Sequence, residues 1–94
     1  MARIPESDIG QWLERVPDWQ RVGNEIERTF RFKNFREAIA FVVQVALLAE
    51  RMDHHPDIEI RYRQVTLRLS THSEGGLTER DFHLAQQIDT LIER

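Results

Sequence analysis

The sequence predicts an α+β fold in which helices pack on one face of a four-stranded antiparallel sheet. Two segments alternate apolar and polar residues with a period of two, and a short turn divides each of them. Three segments with helical spacing precede, separate and follow these hairpins. The resulting order, α-β-β-α-β-β-α, is typical of an α+β sandwich. We expect residues 1–94 to form a single domain, because a chain of this length is large enough for one core.

The amino-terminal third is predicted to contain a short helix and the first hairpin. Ser7 or Asp8 can cap the helix, and Pro17 ends it because the residue before a proline is disfavoured in the helical region. The hairpin covers residues 19–32, and Gly23-Asn24 supplies residues that tolerate the positive φ angles that a tight turn requires. The apolar residues at the expected spacings are Ile9, Trp12, Leu13 and Val16 in the helix and Ile26, Phe30 and Phe32 in the second strand.

The longest predicted helix is apolar on more than one side. It covers residues 35–52 and follows Asn34, a plausible cap. A surface helix ordinarily has a single apolar stripe of about 100°, so a second stripe indicates a second packing partner. We expect one side to pack on the sheet and the other on a second subunit, giving a homodimer or a homotetramer. One stripe contains Phe35, Ile39, Val42, Ala46 and Ala49, and the other contains Phe41, Val45 and Leu48.

The carboxyl-terminal half is predicted to contain the second hairpin and the last helix. Apolar residues fall at even positions up to residue 62 and at odd positions from residue 65, so we expect a two-residue turn at Arg63-Gln64. Thr78 is placed to cap the last helix, and Asp81 completes a variant of the capping box. The apolar face of this helix consists of Phe82, Ala85, Ile88 and Ile92.

Composition argues against several classes of protein. The net charge of −3 disfavours direct nucleic-acid binding, which ordinarily requires a basic surface. The chain has no cysteine, and therefore neither a disulfide nor a thiolate metal site. The longest apolar run, residues 38–49, is shorter than the roughly 20 residues that cross a bilayer, and the first residues lack the apolar segment of a signal peptide. We therefore expect a cytoplasmic protein with no membrane partner.

Three of the four histidines lie in two short polar segments, Asp53-His54-His55-Pro56 and Thr71-His72. Imidazole can both give and take a proton near neutral pH. From the residues alone, four interpretations stay open: hydrogen bonding at a helix end, a zinc site, assistance to a nucleophile, and metal-free acid–base chemistry on a small molecule. No HExxH or His-x-His spacing supports zinc, and the nearby serines lie in no recognisable nucleophile motif. We expect His83, inside the last helix, to be a surface residue.

The chain resembles the pterin-4a-carbinolamine dehydratase family over nearly its whole length. The resemblance rests on residues 50–56, on Ser70-Thr71-His72 and on residues 76–81, and it extends to Trp12, Leu13, Pro17 and Trp19. It implies an α+β subunit that assembles into dimers or tetramers. It also implies the dehydration of 4a-hydroxytetrahydropterin to quinonoid dihydropterin in tetrahydrobiopterin recycling, with no metal or other cofactor.

The resemblance further implies a role for each residue of a pterin site. His54 and His72 would share the acid and base roles, and His55 would position the ring. Glu50 and Asp53 would orient the imidazoles. The remaining substrate-binding residues would be Pro56, Thr71, Ser73 and Glu74, which shape the pocket, and Arg80 and Asp81, which support it from the last helix.

A function from a different class stays open. Members of the same family serve as dimerisation partners of transcription factors or as assembly chaperones, and the doubly apolar helix would suit such a non-catalytic, protein-binding role. The complete histidine set favours the enzyme, because a purely binding protein has no reason to keep all three. One departure from the family pattern is Ile58, where members commonly carry a tryptophan.

Overall fold

The computed structural model describes residues 2–92, and its helices and strands follow the predicted order. The elements are α1 (Glu6–Leu13), β1 (Gln20–Val22), β2 (Glu25–Arg31), α2 (Phe35–Met52), β3 (Asp57–Arg61), β4 (Gln64–Leu69) and α3 (Glu79–Ile92), with a 3-10 turn at His72–Glu74. The strands form one antiparallel sheet in the order β1-β2-β4-β3. The predicted α+β class is confirmed. Within residues 2–92, no helix combines the length and the apolar character needed to cross a membrane.

The two central strands, β2 and β4, form the side of the core that faces the helices. Ile26 pairs with Leu69 and Phe30 pairs with Val65, and all four side chains are buried. Directly opposed residues of an antiparallel pair share one face of the sheet, so this face is the one that the helices cover. Burying one such side chain completely contributes about 1.5–3 kcal/mol relative to leaving it in water. The helices complete the core with Ile9, Ala38, Phe41, Val45, Phe82, Leu84, Ala85 and Ile88.

Helix α3 is held over the β1–β2 half of the sheet by a half-buried carboxylate. Asp89 Oδ1 accepts a hydrogen bond from Trp19 Nε1 at 2.9 Å and one from Arg28 Nη1 at 2.7 Å. The Arg28 guanidinium also lies 4.5 Å from the centre of the Phe30 ring. Helix α2 packs beside α3 and contacts β4, and its Phe41 ring lies 4.7 Å from the Phe30 ring of β2.

Helix α2 begins and ends at the predicted residues. Asn34 has an extended backbone with φ −157° and ψ 174°, and its Oδ1 accepts a hydrogen bond from the Glu37 N–H at 2.9 Å. This bond satisfies one of the N–H groups that the first helical turn leaves without a partner. With a rise of about 1.5 Å per residue, a helix of this length carries the chain roughly 27 Å, from one end of the sheet to the other.

The predicted bounds of the first helix were wrong at both ends. The cap is Pro5, with φ −58° and ψ 143°, whereas Ser7 and Asp8 lie inside the first turn. The helix ends at Leu13, before the proline that was expected to stop it. The N–H of Val16 bonds to the Leu13 carbonyl at 3.0 Å, and this bond to the third residue back tightens the chain into a turn. The turn places the Val16 side chain in the core, where it has no exposed surface.

The second hairpin has the predicted two-residue turn, but the turn lies one residue earlier than Arg63-Gln64. Arg61 pairs with Gln64, so the turn residues are Tyr62 and Arg63, and Tyr62 adopts a φ of 54°. Gln64 is kept in β4 because its side chain also accepts a hydrogen bond from Arg31 of β2, at 2.5 Å. Each residue of β3 therefore pairs with a β4 residue two positions earlier than expected, which leaves Ile58 and Ile60 on the expected face. Tyr62, which was expected in the strand, lies in the turn.

An ion pair connects α1 to the first hairpin. The Arg21 guanidinium donates two hydrogen bonds to the Glu6 carboxylate, at 2.9 and 2.6 Å. These bonds hold the pKa of Glu6 below its usual value of 4.5. Since the folded pKa lies below the unfolded one, the pair stabilises the fold above the unfolded pKa and loses this contribution as the pH falls through the folded one.

Replacing the cap of α2 should weaken the fold measurably. We expect Asn34→Ala to lower the free energy of unfolding by about 0.5–2 kcal/mol, because the Glu37 N–H loses its acceptor. Urea denaturation followed by circular dichroism measures this change. Asn34→Asp, which keeps an acceptor oxygen, is the matched control and should remain close to the wild type. Equal losses in both variants would contradict the capping role.

Candidate active site

A cleft of about 300 Å³ lies between the carboxyl end of α2 and the turn that follows β4. Its walls come from three places in the chain: the end of α2, the segment after β4, and the first turn of α3. Polar side chains dominate the lining. The lining residues are Asp53, His54, His55, Ser70, Thr71, His72, Ser73 and Arg80.

The carboxyl end of α2 directs the chain into this cleft. Asp53 has left-handed backbone angles, φ 51° and ψ 45°, and its N–H bonds to the Glu50 carbonyl at 3.2 Å. The His54 N–H reaches back to the Ala49 carbonyl at 3.0 Å. These two bonds form a Schellman motif, in which a left-handed residue ends the helix and its last carbonyls are satisfied. Aspartate tolerates this conformation better than most residues, so the helix stops here without a glycine.

Arg80 ties this helix end to the start of α3. Its Nη2 donates to the Met52 carbonyl at 2.8 Å and to the Asp53 carbonyl at 2.7 Å. A guanidinium at a helix carboxyl terminus also interacts favourably with the helix dipole. The two helices that meet at the cleft are therefore joined directly beneath His54.

A buried carboxylate, Asp81, holds His54. His54 Nε2 lies 2.5 Å from Asp81 Oδ1, and Asp81 has no exposed surface. The other carboxylate oxygen, Oδ2, accepts from Thr71 Oγ1 and from the Thr78 N–H, each at 2.9 Å. The Thr78 N–H bond is the capping-box contact that the sequence predicts. Because a buried carboxylate is costly without donors, these three partners are what make this position tolerable.

The hydrogen bonds fix the direction of each proton in this group. Thr71 donates its hydroxyl proton to Asp81, so Thr78 must donate the proton of the 2.8 Å bond between the two threonine hydroxyls. Thr78 Oγ1 in turn accepts from the Arg80 N–H at 3.3 Å. Asp81 Oδ1 accepts, which assigns the proton to Nε2 of His54. The second ring nitrogen, Nδ1, is therefore the nitrogen without this proton in the neutral form of the ring.

Nδ1 of His54 also retains access to solvent. His54 is buried overall, with 8% of its surface exposed. Within residues 2–92, no side-chain nitrogen or oxygen is both fully buried and without a hydrogen-bond partner. Among residues 2–92, the hydrogen bond of the His54 ring is made by Nε2, so Nδ1 is the ring nitrogen that keeps exposed surface, and His54 lines the cleft.

The other two histidines of the cleft are exposed. His55 Nε2 lies 2.5 Å from Glu50 Oε2, and the two side chains are 56% and 76% exposed. His72 begins the 3-10 turn after β4, is exposed, and makes no side-chain hydrogen bond among those found within residues 2–92. The site therefore contains one rigid, buried imidazole and two imidazoles in contact with solvent.

Most of the residues that the sequence points to come together here. Seven of the eight lining residues belong to the predicted set, and the eighth, Ser70, does not. Ser70 directly precedes Thr71 and His72 in the sequence, but no recognisable motif pointed to its hydroxyl group. The carboxylate that contacts His54 belongs to Asp81 and not to Asp53, which lines the cleft but makes only backbone hydrogen bonds among residues 2–92. The predicted residues outside the lining are Glu50, Pro56, Glu74 and Asp81.

Two further sequence features can be located. His83 is exposed on α3 and does not line the cleft, in agreement with the expectation of a surface residue. Ile58, at the position of the common tryptophan, pairs with Leu67 and also lies outside the cleft lining. Within the described part of the chain, no three His, Asp or Glu side chains are grouped as metal ligands would be.

The sequence matches known proteins along its whole length. The model of the family described as pterin 4 alpha carbinolamine dehydratase matches residues 2–91. A Chloroflexus aurantiacus protein, provisionally named a pterin-4-alpha-carbinolamine dehydratase, is 55% identical over 92 residues, which cover 98% of this chain and 99% of that protein. A Thermomicrobium roseum protein with the same provisional name is 53% identical over 91 residues, covering 97% and 98%.

Solved structures agree with this match. The crystal structure of a transcriptional coactivator/pterin dehydratase from Brucella melitensis superposes with a TM-score of 0.90 at 40% identity, covering 95% of this chain and 97% of that one. A pterin dehydratase-like RuBisCO assembly factor of the alpha-carboxysome superposes with a TM-score of 0.65 at 24% identity, covering 78% and 84%, and shares the fold. By sequence and by structure, the chain belongs to the pterin-4a-carbinolamine dehydratase family.

Proposed function

We propose that this protein dehydrates 4a-hydroxytetrahydropterin to quinonoid dihydropterin and water. The observation that carries the proposal is the buried Asp81–His54 pair, whose free ring nitrogen is accessible beside a cleft that His55 and His72 also line. Proton transfer by positioned imidazoles is the chemistry that this dehydration needs. The provisional names of the relatives point to the same reaction.

The reaction balances without an oxidant, a reductant or a metal. An imidazole base takes the proton from N5 of the pterin, and the N5 electron pair forms the double bond to C4a. The C4a–O bond breaks, and an imidazolium acid gives its proton to the departing hydroxyl, which leaves as water. We assign these two roles to His54 and His72. One imidazole gains a proton and the other loses one, so the total number of protons on the two rings does not change.

The remaining residues bind and orient the substrate. His55, held by Glu50, is placed to contact the ring from the exposed side of the cleft. The hydroxyls of Ser70 and Ser73 line the cleft and can pair with the polar edge of a pterin. Arg80 fixes the end of α2, and Asp81 sets the tautomer of His54. We also propose that the protein is located in the cytoplasm, as expected from the sequence.

We further propose that the chain functions as a homo-oligomer. On α2, the side chains of Phe35, Val43 and Leu47 are 50%, 53% and 62% exposed. Ile58 and Ile60 of the edge strand β3 are 38% and 39% exposed, although they lie on the helix-covered side, opposite buried residues of β4. Exposed apolar surface of this extent indicates an interaction site.

The edge strand favours a second copy as the occupant. If two β3 strands pair antiparallel about Glu59, Asp57 meets Arg61 of the partner subunit at both ends, and Ile58 meets the partner's Ile60. The two Glu59 side chains would then meet, but each is already neutralised by Arg68 at 3.1 Å. Such pairing would also remove the unpaired edge that a sheet otherwise presents to other chains.

The alternative, a non-catalytic dimerisation cofactor or assembly chaperone, would use the same apolar surface for a different protein. The Brucella relative combines coactivator and dehydratase in its name. The two functions use different parts of α2, so one protein can have both.

Replacing either proposed proton-transfer residue should reduce turnover. We expect His54→Ala and His72→Ala each to lower kcat by about 10²–10⁴-fold, the usual contribution of general acid–base catalysis. Stopped-flow absorbance with chemically generated 4a-hydroxytetrahydropterin measures the rate above the spontaneous reaction. His83→Ala removes an imidazole outside the cleft and should retain wild-type turnover. A wild-type protein that gives no acceleration would overturn the proposed function.

Removing the charge of Asp81 should affect rate and stability together. Asp81→Asn places an amide NH₂ beside His54 Nε2, which favours the opposite tautomer, so we expect kcat to fall by roughly 10²-fold or more. We also expect a loss of about 1–3 kcal/mol in the free energy of unfolding, since charge-assisted bonds become neutral. Asp89→Asn, in the other aspartate network of α3, should lose stability but keep its turnover. Equal turnover of Asp81→Asn and the wild type would contradict this role of the carboxylate.

Charge at the exposed apolar residues Val43 and Leu47 of α2 should reduce the size of the oligomer, while pairing of the β3 strands is untouched. We expect the wild type to show a multiple of 11.2 kDa in analytical ultracentrifugation and the Val43→Asp/Leu47→Glu variant to show a smaller multiple. Both side chains are more than half exposed, so the subunit itself should stay folded. Val22→Lys, at an exposed apolar residue of the opposite edge strand β1, is the matched control. A monomeric wild type would contradict the oligomer and favour a different protein as the partner.

A further inference from the structure

Among residues 2–92, the loop that bears His72 is bonded to α3 through Thr71 alone, whose hydroxyl donates to Asp81, and His72 itself makes no such bond. This loop, residues 71–76, closes on itself through a backbone bridge in which Thr71 and Gly76 exchange bonds of 2.9 and 3.3 Å. Inside the bridge, the Glu74 N–H bonds to the Thr71 carbonyl at 3.0 Å, and Gly75 turns the chain with φ 73°. Residues 72–75 are exposed.

The amino-terminal arm, residues 2–5, packs against the closed end of this loop. The Ile4 N–H bonds to the Leu77 carbonyl at 2.9 Å, and the Ile4 side chain is buried. Arg3 Nη1 donates to the Gly75 carbonyl at 3.3 Å. The arm, near the start of the sequence, therefore contacts a loop that is far away along the chain.

The stem of Arg3 lies directly over Gly76. A Cβ atom added to Gly76 would lie 2.7 Å from Arg3 Cδ and 3.4 Å from Arg3 Cγ. The first distance is far below a van der Waals contact between carbon atoms, which is about 3.5–4.0 Å. Glycine at this position is thus what allows the side chain to lie flat on the loop.

We propose that Arg3 is a positioning residue that holds the His72 loop in its catalytic conformation. The inference rests on the proposed function for its effect on turnover, but the contact itself can be tested without activity. Arg3 is not one of the residues that line the cleft, so it acts through the loop and not on the substrate. Neither the motifs of the sequence nor the family resemblance points to Arg3.

We expect docking of the arm to depend on Ile4, and the position of the loop to depend on the Arg3 side chain. Ile4 is part of the core, so the docking of the arm depends on this residue and on its backbone bond to Leu77. Arg3 is exposed, and its hydrogen bond lies at the surface. Truncating Arg3 should accordingly leave the arm in place and the midpoint of thermal unfolding nearly unchanged, while the loop beneath it gains freedom.

The contact can be tested by amide hydrogen exchange of the folded protein. We expect Arg3→Ala to speed exchange at the Glu74, Gly75 and Gly76 amides by roughly tenfold, since local opening becomes easier. Gly76→Ala should give the same result, because the new methyl group displaces Arg3. The double variant should be no worse than either single variant. Arg3→Lys keeps the stem and a donor and should restore slow exchange.

The effect on catalysis is read from kcat in the same variants. We expect Arg3→Ala to lower kcat by about three- to tenfold with KM nearly unchanged, well short of the ~10²-fold loss from misplacing a reacting group by 1 Å. In a His72→Ala background, Arg3→Ala should have no further effect. Arg63→Ala, which removes an equal charge at the distant β3–β4 turn, is the control and should match the wild type.

The outcomes separate this inference from the proposed function. Unchanged exchange in Arg3→Ala, or additive effects of Arg3→Ala and Gly76→Ala, would overturn the contact. Faster exchange with an unchanged kcat, or an equal loss of kcat with and without His72, would overturn the positioning role. If the wild type shows no dehydratase activity, the proposed function fails, and the exchange data still decide whether Arg3 holds the loop.

Discussion

Burying a carboxylate completely costs several kcal/mol unless hydrogen-bond donors compensate for its charge. Asp81 has no exposed surface, so the fold must supply such donors. Its donors come from the end of α2, the segment after β4 and the start of α3. The three walls of the cleft can satisfy the carboxylate only when they are correctly placed relative to one another. The bonds that satisfy Asp81 therefore also fix these three walls relative to one another. The carboxylate that caps α3 is also the one that assigns the proton on His54.

The two proposed proton-transfer residues are held by different physical means. His54 follows a Schellman motif at the end of an 18-residue helix and has a buried hydrogen bond, so both its backbone and its ring are fixed. His72 begins a short exposed turn and has a free ring, so its position depends on the backbone of its loop. Opening of an exposed turn requires far less free energy than disruption of the core. We expect motion in this site to be concentrated at His72, which also leaves a path for the substrate to enter.

The sequence was sufficient for those features that depend on neighbouring residues. The bounds of α2, the turn at Gly23-Asn24 and the capping box at Thr78 follow from local hydrogen bonding, and all three are confirmed. The bond between His54 and Asp81 could not be predicted in the same way, because it joins residues 27 positions apart whose approach depends on the packing of α2 and α3. The turn of the second hairpin was misplaced by one residue, since Gln64 is held by Arg31 from another strand. The residues of the cleft were predictable as a set, whereas their pairing was not.

Helix α2 has two sides with different surroundings. One side of the helix lies in the core through Phe41 and Val45, and its exposed side carries Val43 and Leu47. Glu50 follows Val43 by seven residues and Leu47 by three, so it continues the exposed face to the cleft, where it contacts His55. Val43, Leu47 and the Glu50–His55 pair therefore share one face of α2, and neither apolar residue lines the cleft.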